Sequence, residues 1–210
     1  MNLTVFGAAG RTGRHVVEQA MARGHRVTAF TRRPAALADC AGLAEVVHGY
    51  GRDPQAVREA VRGADAVIAV IGPASRKGPH QVAEVADTLI AAMGDEGVRR
   101  LVITSAYPLV GDRPRIPIAL LRRVLAAVYA DAAAMERAVS DSGLDWTIAR
   151  LNRLTSNPAA GQARVSPGLF ARPTAITRAD AARALLDITE DRALARTAVN
   201  VAGPARKGTP

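Results

Sequence analysis

Gly7, Gly10 and Gly13 carry the first chemical signal in this 210-residue chain. The segment Gly7-Ala-Ala-Gly10-Arg-Thr-Gly13 follows a short apolar run and opens an amphipathic stretch, so it reads as a turn between a strand and a helix. In such a turn one glycine permits the tight bend, and a second lets backbone N–H groups approach a pyrophosphate. The third lets helix and strand pack closely. The helix N-terminus adds partial positive charge for the diphosphate, and Thr12 adds a hydroxyl donor. A second signal stands at the tip of the next strand, Thr31-Arg32-Arg33-Pro34. An Asp or Glu there would accept hydrogen bonds from the ribose 2′-hydroxyl of NAD, whereas two guanidinium groups favour a 2′-phosphate. Arg11 and Arg14 can serve the same phosphate. The cofactor expected from these residues is NADP. The competing reading is a glycine turn that binds nothing and two solvated arginines.

The elements that must position these groups alternate. Met1 to Phe6 is a strand candidate, Arg14 to Arg23 carries Val16, Val17, Ala20 and Met21 at helical spacing, and His25 to Thr31 is a second strand. That unit requires parallel pairing and a right-handed crossover. Leu43 to His48 is a third strand candidate, and Asp53-Pro54 supplies an N-cap and first-turn proline for a helix ending near Arg62. Ala64 to Ile71 is almost wholly apolar, as in a strand covered on both faces. A helix over Gln81 to Met93, a strand over Arg100 to Ser105, a helical stretch over Ile116 to Ser142 with a break near Val128, and a strand over Trp146 to Arg150 follow. From Leu151 to Pro173 the chain turns loop-like, with one short strand over Ala163 to Ser166. Thr177-Arg-Ala-Asp180 resembles a capping box and starts a helix through Thr189, and Ala198 to Val201 is a last strand. The fold class expected is α/β, a Rossmann-type doubly wound parallel sheet. One domain over residues 1–203 is expected, with 151–203 as a small C-terminal substrate-covering segment and 204–210 as a tail.

Composition narrows the function classes. Apolar residues make up 49% and charged residues 22%, ordinary values for a globular chain. No apolar stretch approaches the roughly 18–20 residues that span a bilayer. The first apolar run stops at Gly7 without a cleavage site, so the expected location is cytoplasmic. One cysteine, Cys40, excludes a disulfide framework, and His15, His25, His48 and His80 show no paired spacing for a metal. The net charge is +9, carried almost entirely by arginine. The basic residues are scattered and only 3% of residues are aromatic, which argues against nucleic acid as a partner.

With the strand, glycine turn and Arg-Arg pair placed, the chain resembles the atypical short-chain dehydrogenase/reductase group. Within it the likeness is to the biliverdin reductase B/flavin reductase family and its NmrA-like relatives. The resemblance rests on Val5-Phe-Gly-Ala-Ala-Gly-Arg-Thr-Gly13, Gly63-Ala-Asp-Ala-Val-Ile68 and Thr104-Ser-Ala-Tyr107. Leu144-Asp-Trp-Thr-Ile148, Pro158-Ala-Ala-Gly161 and Ile176-Thr-Arg-Ala-Asp180 follow in the family's order. It implies that Gly7, Gly10, Thr12 and Gly13 form the dinucleotide turn and that Arg32 reads the 2′-phosphate. It also implies that Ile71 and Gly72 pass the riboses, and that Ser105 lies next to the nicotinamide, where its hydroxyl orients the substrate or donates to it. The chain departs from the family at Gly49-Tyr50, near the adenine, and at Arg150-Leu-Asn152. Arg153 stands where biliverdin-type members carry a histidine beside the substrate, and so favours an anionic one.

The Tyr-x-x-x-Lys pair of many short-chain dehydrogenases is missing. Tyr50, Tyr107 and Tyr129 are followed four residues later by Pro54, Gly111 and Ala133, and no lysine lies between Lys77 and Lys207. Without a lysine to lower a tyrosine pKa, carbonyl reduction lacks its usual acid. The chemistry left is hydride transfer to a flavin, a quinone or a bilin-like acceptor, for which the protein supplies proximity and orientation. Tyr107, two residues past Ser105, is a candidate to line the acceptor pocket, or else a packing residue. Arg113, Arg115, Arg122, Arg123 and Arg153 fall in segments expected to rim that pocket. The alternative function is a redox sensor, as in NmrA-like relatives, that holds NADP without turnover.

Overall fold

The computed structural model describes residues 1–72, 78–111 and 115–205. Expected rim residue Arg113, the side chain of Arg115 and residues 206–210 of the tail lie outside the described residues. Strand β1 (Asn2–Phe6), helix α1 (Gly13–Ala22) and strand β2 (Arg26–Thr31) form the opening unit, with β1 and β2 parallel. Strand β3 (Glu45–His48), helix α2 (Pro54–Val61), strand β4 (Ala66–Ala69), helix α3 (Val82–Asp95) and strand β5 (Arg100–Ala106) continue the alternation. Helices α4 (Arg115–Val124) and α5 (Ala126–Asp141) meet at Leu125, three residues before the break the sequence suggested. Strand β6 (Asp145–Leu151), two-residue strand β7 (Leu154–Thr155), strand β8 (Arg164–Ser166), two-residue strand β9 (Ile176–Thr177), helix α6 (Arg178–Glu190) and strand β10 (Thr197–Ala202) complete the fold.

The main sheet has the order β3-β2-β1-β4-β5-β6-β10-β8, parallel throughout except for β8 against β10. Strand order reverses between β1 and β4, and in a doubly wound sheet the crevice at that reversal is the ligand-binding place. Strand β4 shows why the sheet needs helices on both sides. Ala66 and Ile68 join the core under α1 and α6, while Val67 and Ala69 join the core under α2, α3 and α5. All four are buried, as alternation across a sheet covered on both faces demands. Strands β7 and β9 pair with each other in a separate parallel ribbon. Two residues carry no periodicity, so nothing in the sequence marked them.

The helix starts are set by short polar side chains. Asp53 accepts from the backbone N–H of Gln55 (3.0 Å) and Ala56 (3.3 Å), capping α2 as its position before Pro54 implied. Thr177 Oγ1 accepts from the Asp180 N–H at 3.1 Å. The Asp180 carboxylate takes the N–H of Ala160 (2.7 Å) and Gly161 (3.4 Å) as well as the Thr177 hydroxyl (2.7 Å), so it ties the loop between β7 and β8 to the start of α6. Helix α3 has no side-chain cap of its own. Asp131 of α5 reaches across to accept from Val82 N (2.8 Å) and Ala83 N (3.1 Å).

Candidate functional site

Each glycine of the turn has its own reason. Gly7 has φ +73, and a Cβ there would lie 2.2 Å from the Val70 carbonyl oxygen. A Cβ on Gly13 would lie 2.1 Å from the Gly7 carbonyl oxygen, so α1 can start against the turn only if that residue is bare. Gly10 is different. Its nearest neighbour would be the Gly7 oxygen at 3.0 Å, and the Gly10 N–H donates to that same oxygen at 2.9 Å. Gly10, Arg11, Thr12 and Gly13 all border one cleft of about 1840 Å³. The cradle therefore fits a dinucleotide: two bare Cα positions bring backbone close, and the first turn of α1 faces the opening.

The arginines near the turn divide by what they already hold. Arg14 donates to Glu18 (3.0 Å), to Asp39 and to the Ala36 carbonyl (3.3 Å), and Asp39 foremost holds its guanidinium above its ordinary pKa. It is therefore committed to carboxylates rather than open to a phosphate. Arg33 donates to the Ala9 carbonyl at 3.3 Å, laying its side chain over the glycine turn. Arg32 is exposed and has no hydrogen bond or ion pair among the described residues. Of the pair at the tip of β2, Arg32 is the one with its donors unspent.

Beyond the turn the cleft passes the ends of β4, β5 and β6. Ile71 and Gly72 border it, and the Thr104 hydroxyl, 3.1 Å from the Ile71 carbonyl, holds that exit strand in place. Ser105 also borders the cleft. Its Oγ donates to Glu136 Oε1 at 2.6 Å, and Arg150 grips the same carboxylate from Nε (3.0 and 3.2 Å) and Nη2 (2.6 Å). Glu136 was not visible in the sequence as a site residue, because it sits in an ordinary-looking helical run and meets Ser105 only through the fold.

Tyr107 corrects an expectation. Its relative exposure is 0% and it does not border the cleft. The ring stacks on Phe170 with centroids 6.4 Å apart, the hydroxyl donates to the Phe170 carbonyl at 3.4 Å, and the backbone of Gly111 lies against the ring. The chain turns inward directly after β5, so two residues past Ser105 is the interior. The tyrosine that does border the cleft is Tyr129, on α5. Burial raises its phenol pKa, against a smaller opposing effect of Arg122.

The cationic rim is also redrawn. Arg122 donates to the carbonyls of Pro108 (2.7 Å), Leu109 (3.0 Å) and Gly111 (3.0 Å), fastening α4 to the turn after β5. Arg123 is exposed and does not border the cleft. Arg153 borders it as expected, together with Arg11, Arg164, Arg172 and Arg178, and no Asp or Glu borders it among the described residues. Arg164 is partly occupied by the Gly203 carbonyl (3.0 Å) and the Phe170 ring. The three arginines on and after β8 were missed because Arg164 on β8, Arg172 in the following loop and Arg178 at the start of α6 meet at the cleft only through the fold.

A family model described as NAD(P)H-binding matches residues 7–192. The chain is 31% identical over 204 residues to the (4-alkanoyl-5-oxo-2,5-dihydrofuran-3-yl)methyl phosphate reductase of Streptomyces griseus, covering 96% of this chain and 64% of that protein. Across the curated relatives first matched, the chain spans 37% to 64% of their length. In fold it is similar to ChuY, described as an anaerobillin reductase from Escherichia coli O157:H7, with a TM-score of 0.81, 22% identity and 100% of both chains covered. A short-chain dehydrogenase/reductase from Veillonella parvula in complex with NADP has a TM-score of 0.81 at 20% identity, covering 97% of this chain and 95% of that one. No helix among the described residues is long and apolar enough to cross a membrane.

Proposed function

This chain belongs to the NAD(P)H-binding family, and on that premise we propose that it is an NADPH-dependent reductase of a conjugated, anionic small molecule of flavin, quinone or bilin-like type. The carrying observation is the lining of one continuous cleft. It is bordered by the glycine turn, by Ser105 and by five arginines, and by no acidic side chain among the described residues. When bound, the reduced dinucleotide supplies the hydride. The turn from Gly7 to Gly13 and the start of α1 hold the diphosphate, Arg32 with Arg33 takes the 2′-phosphate, and Ile71 and Gly72 flank the riboses. Segment 151–203 covers the far end, where Arg153 and Arg172 attract an anion. The name of the Streptomyces griseus relative, a reductase of a phosphate ester, agrees with an anionic acceptor.

Acid catalysis from the chain is weak by this geometry. Tyr129 is the cleft's tyrosine, its pKa is raised rather than lowered, and Ala133 stands four residues on where a lysine would be. An acceptor that needs orientation more than protonation suits such a site. The same observation favours the second reading, a sensor that binds NADPH without turnover. The test follows NADPH absorbance while FMN, a small quinone and a bilin are offered in turn. Oxidation with one of them supports the reductase. Tight NADPH binding with no oxidation by any of the three moves the function to the sensor.

A further inference from the structure

Ser105 and Arg150 are direct partners across β5 and β6, so their side chains leave the same face of the sheet. Glu136 of α5 comes down on both. The guanidinium and the carboxylate are largely enclosed, with side-chain exposures of 18% and 11%. Arginine has only N–H donors and keeps its charge in proteins, and here it donates to both carboxylate oxygens. The carboxylate is thereby set as the acceptor of this cluster, and in the 2.6 Å contact the serine O–H donates inward to Glu136. A hydroxyl has a single proton. With it spent on Glu136, what Ser105 turns to the cleft is lone-pair density.

We infer that Ser105 is a hydrogen-bond acceptor toward the cleft, locked in that polarity by Glu136 and Arg150, and that it selects a ligand presenting an N–H or O–H group to it. This rests on the reading of the cleft as a dinucleotide-dependent reductase site. It reverses the donor role that the sequence resemblance left open for Ser105. Two sources of the donor share this chemistry: the carboxamide N–H of the nicotinamide, or an imide, pyrrole or hydroxyl proton of the acceptor molecule. Glu136 and Arg150 act through Ser105 and are positioning residues.

The test uses Ser105→Ala and Glu136→Gln in the full chain. In Glu136→Gln the amide oxygen goes to Arg150 and the amide N–H faces Ser105, which turns the serine proton out to the cleft. Lumiflavin, which carries an N3–H, and 3-methyllumiflavin, which does not, are the acceptor probes. NADPH and 2′,5′-ADP, which lacks the nicotinamide, are the binding probes, read by calorimetry. If the acceptor supplies the donor, wild type shows a KM for lumiflavin on the order of 10-fold below that for 3-methyllumiflavin. Ser105→Ala then erases the preference, and Glu136→Gln erases or inverts it. If the nicotinamide supplies it, both variants weaken NADPH relative to 2′,5′-ADP by a similar factor and the two flavins behave alike. Unchanged 2′,5′-ADP affinity certifies the fold of each variant, and should Glu136→Gln lose it, the flavin pair offered to Ser105→Ala decides, because N3 methylation removes only a donor. A flavin preference that survives both substitutions overturns the inference, as does an NADPH to 2′,5′-ADP affinity ratio that stays fixed when no flavin preference exists. Failure of the reductase reading is separate: wild type then leaves NADPH unoxidised whichever acceptor is offered, and the affinity ratio in Glu136→Gln, which keeps the hydroxyl and turns its proton, still decides the polarity of Ser105.

Discussion

Arg178, the first residue of α6, lies close enough to Arg11 of the glycine turn for the two guanidinium groups to feel each other. Burial foremost, and the Arg11 charge after it, hold Arg178 below its ordinary pKa. Its Nη1 donates to Ser156 Oγ at 2.7 Å, and no ion pair engages either arginine among the described residues. Both border the cleft. Two like charges brought together from the starts of α1 and α6 repel, and an anion placed between them relieves that repulsion. The pair is thus a positive lip at the glycine-turn end of the cleft.

Replacing Arg178 with Ala is expected to weaken NADPH binding about 3- to 10-fold at low salt, in keeping with one charge-assisted contact in a solvated site. The dependence on salt should also flatten, because screening at about 3 Å in 1 M salt already removes most of what a rim charge contributes. Calorimetry across a sodium chloride series checks both. A parallel offset that persists at high salt would mean that Arg178 acts through the Ser156 contact and not through its charge.

The glycines separate stability from binding. A methyl at Gly13 meets backbone at 2.1 Å, and backbone cannot step aside as a side-chain tip can. Gly13→Ala is expected to lower Tm by about 2–12 °C, since overpacking of this kind costs about 1–3 kcal/mol and each kcal/mol shifts a chain of this size by about 2–4 °C. Gly10→Ala meets only the Gly7 oxygen at 3.0 Å and otherwise open space. It should keep Tm within a few degrees while losing NADPH affinity on the order of 10-fold or more, because its methyl occupies the ground where a phosphate approaches. Thermal melts beside NADPH titrations of the two variants distinguish a folding glycine from a binding glycine.

The proposed function gives Arg32 the choice between the two dinucleotides. Its donors are unspent, while those of Arg14 are taken by Glu18 and Asp39. Arg32→Ala should cost NADPH about 10- to 100-fold in affinity, the range for a hydrogen-bonded charge pair, and leave NADH nearly unchanged. Equal losses for the two cofactors would take the 2′-phosphate away from Arg32. Arg33→Ala should have the smaller effect, since its guanidinium already reaches the Ala9 carbonyl.

What could be read from the sequence follows the range of the interactions involved. The glycine turn, the Asp53 cap and the Thr177 helix start are short stretches whose residue types and spacing carry the signal, and each was legible for that reason. The doubly wound architecture was legible because strands and helices alternate and fully apolar runs such as Ala66 to Ala69 demand cover on both faces. Tyr107 was not, because whether the chain after Ser105 turns to the cleft or to the interior depends on Phe170 and Gly111, which the sequence places far off or gives no reason to notice. Glu136 illustrates the same limit. Its spacing in α5 is that of any helix residue, and only the register of Ser105 with Arg150 reveals its purpose. The remote capping of α3 by Asp131 is a third instance.

Arg100 shows the same long reach in the service of stability. It begins β5 at 2% exposure, and no carboxylate pairs with it among the described residues. Its guanidinium donates instead to the carbonyls of Ile188, Thr189 (3.2 Å) and Asp191 (3.4 Å) at the end of α6, and to Asp145 O (2.9 Å) and Thr147 Oγ1 (2.8 Å). Burial first, with the Arg192 charge adding to it, pulls its pKa down, yet the carbonyls at a helix C-terminus favour a cation. One side chain thereby satisfies the last turn of α6 and binds it to the start of two sheet strands. Arg100→Met keeps most of the volume but leaves those buried carbonyls without donors. It is expected to destabilise the fold by about 2–4 kcal/mol, which for this chain length corresponds to a Tm lower by about 5–15 °C. NADPH affinity measured below that Tm should stay within about twofold, since additivity holds for sites without shared partners. Arg100→Lys, retaining charge but fewer donors, should fall between the two. A methionine variant as stable as wild type would show that water, and not this guanidinium, satisfies the end of α6.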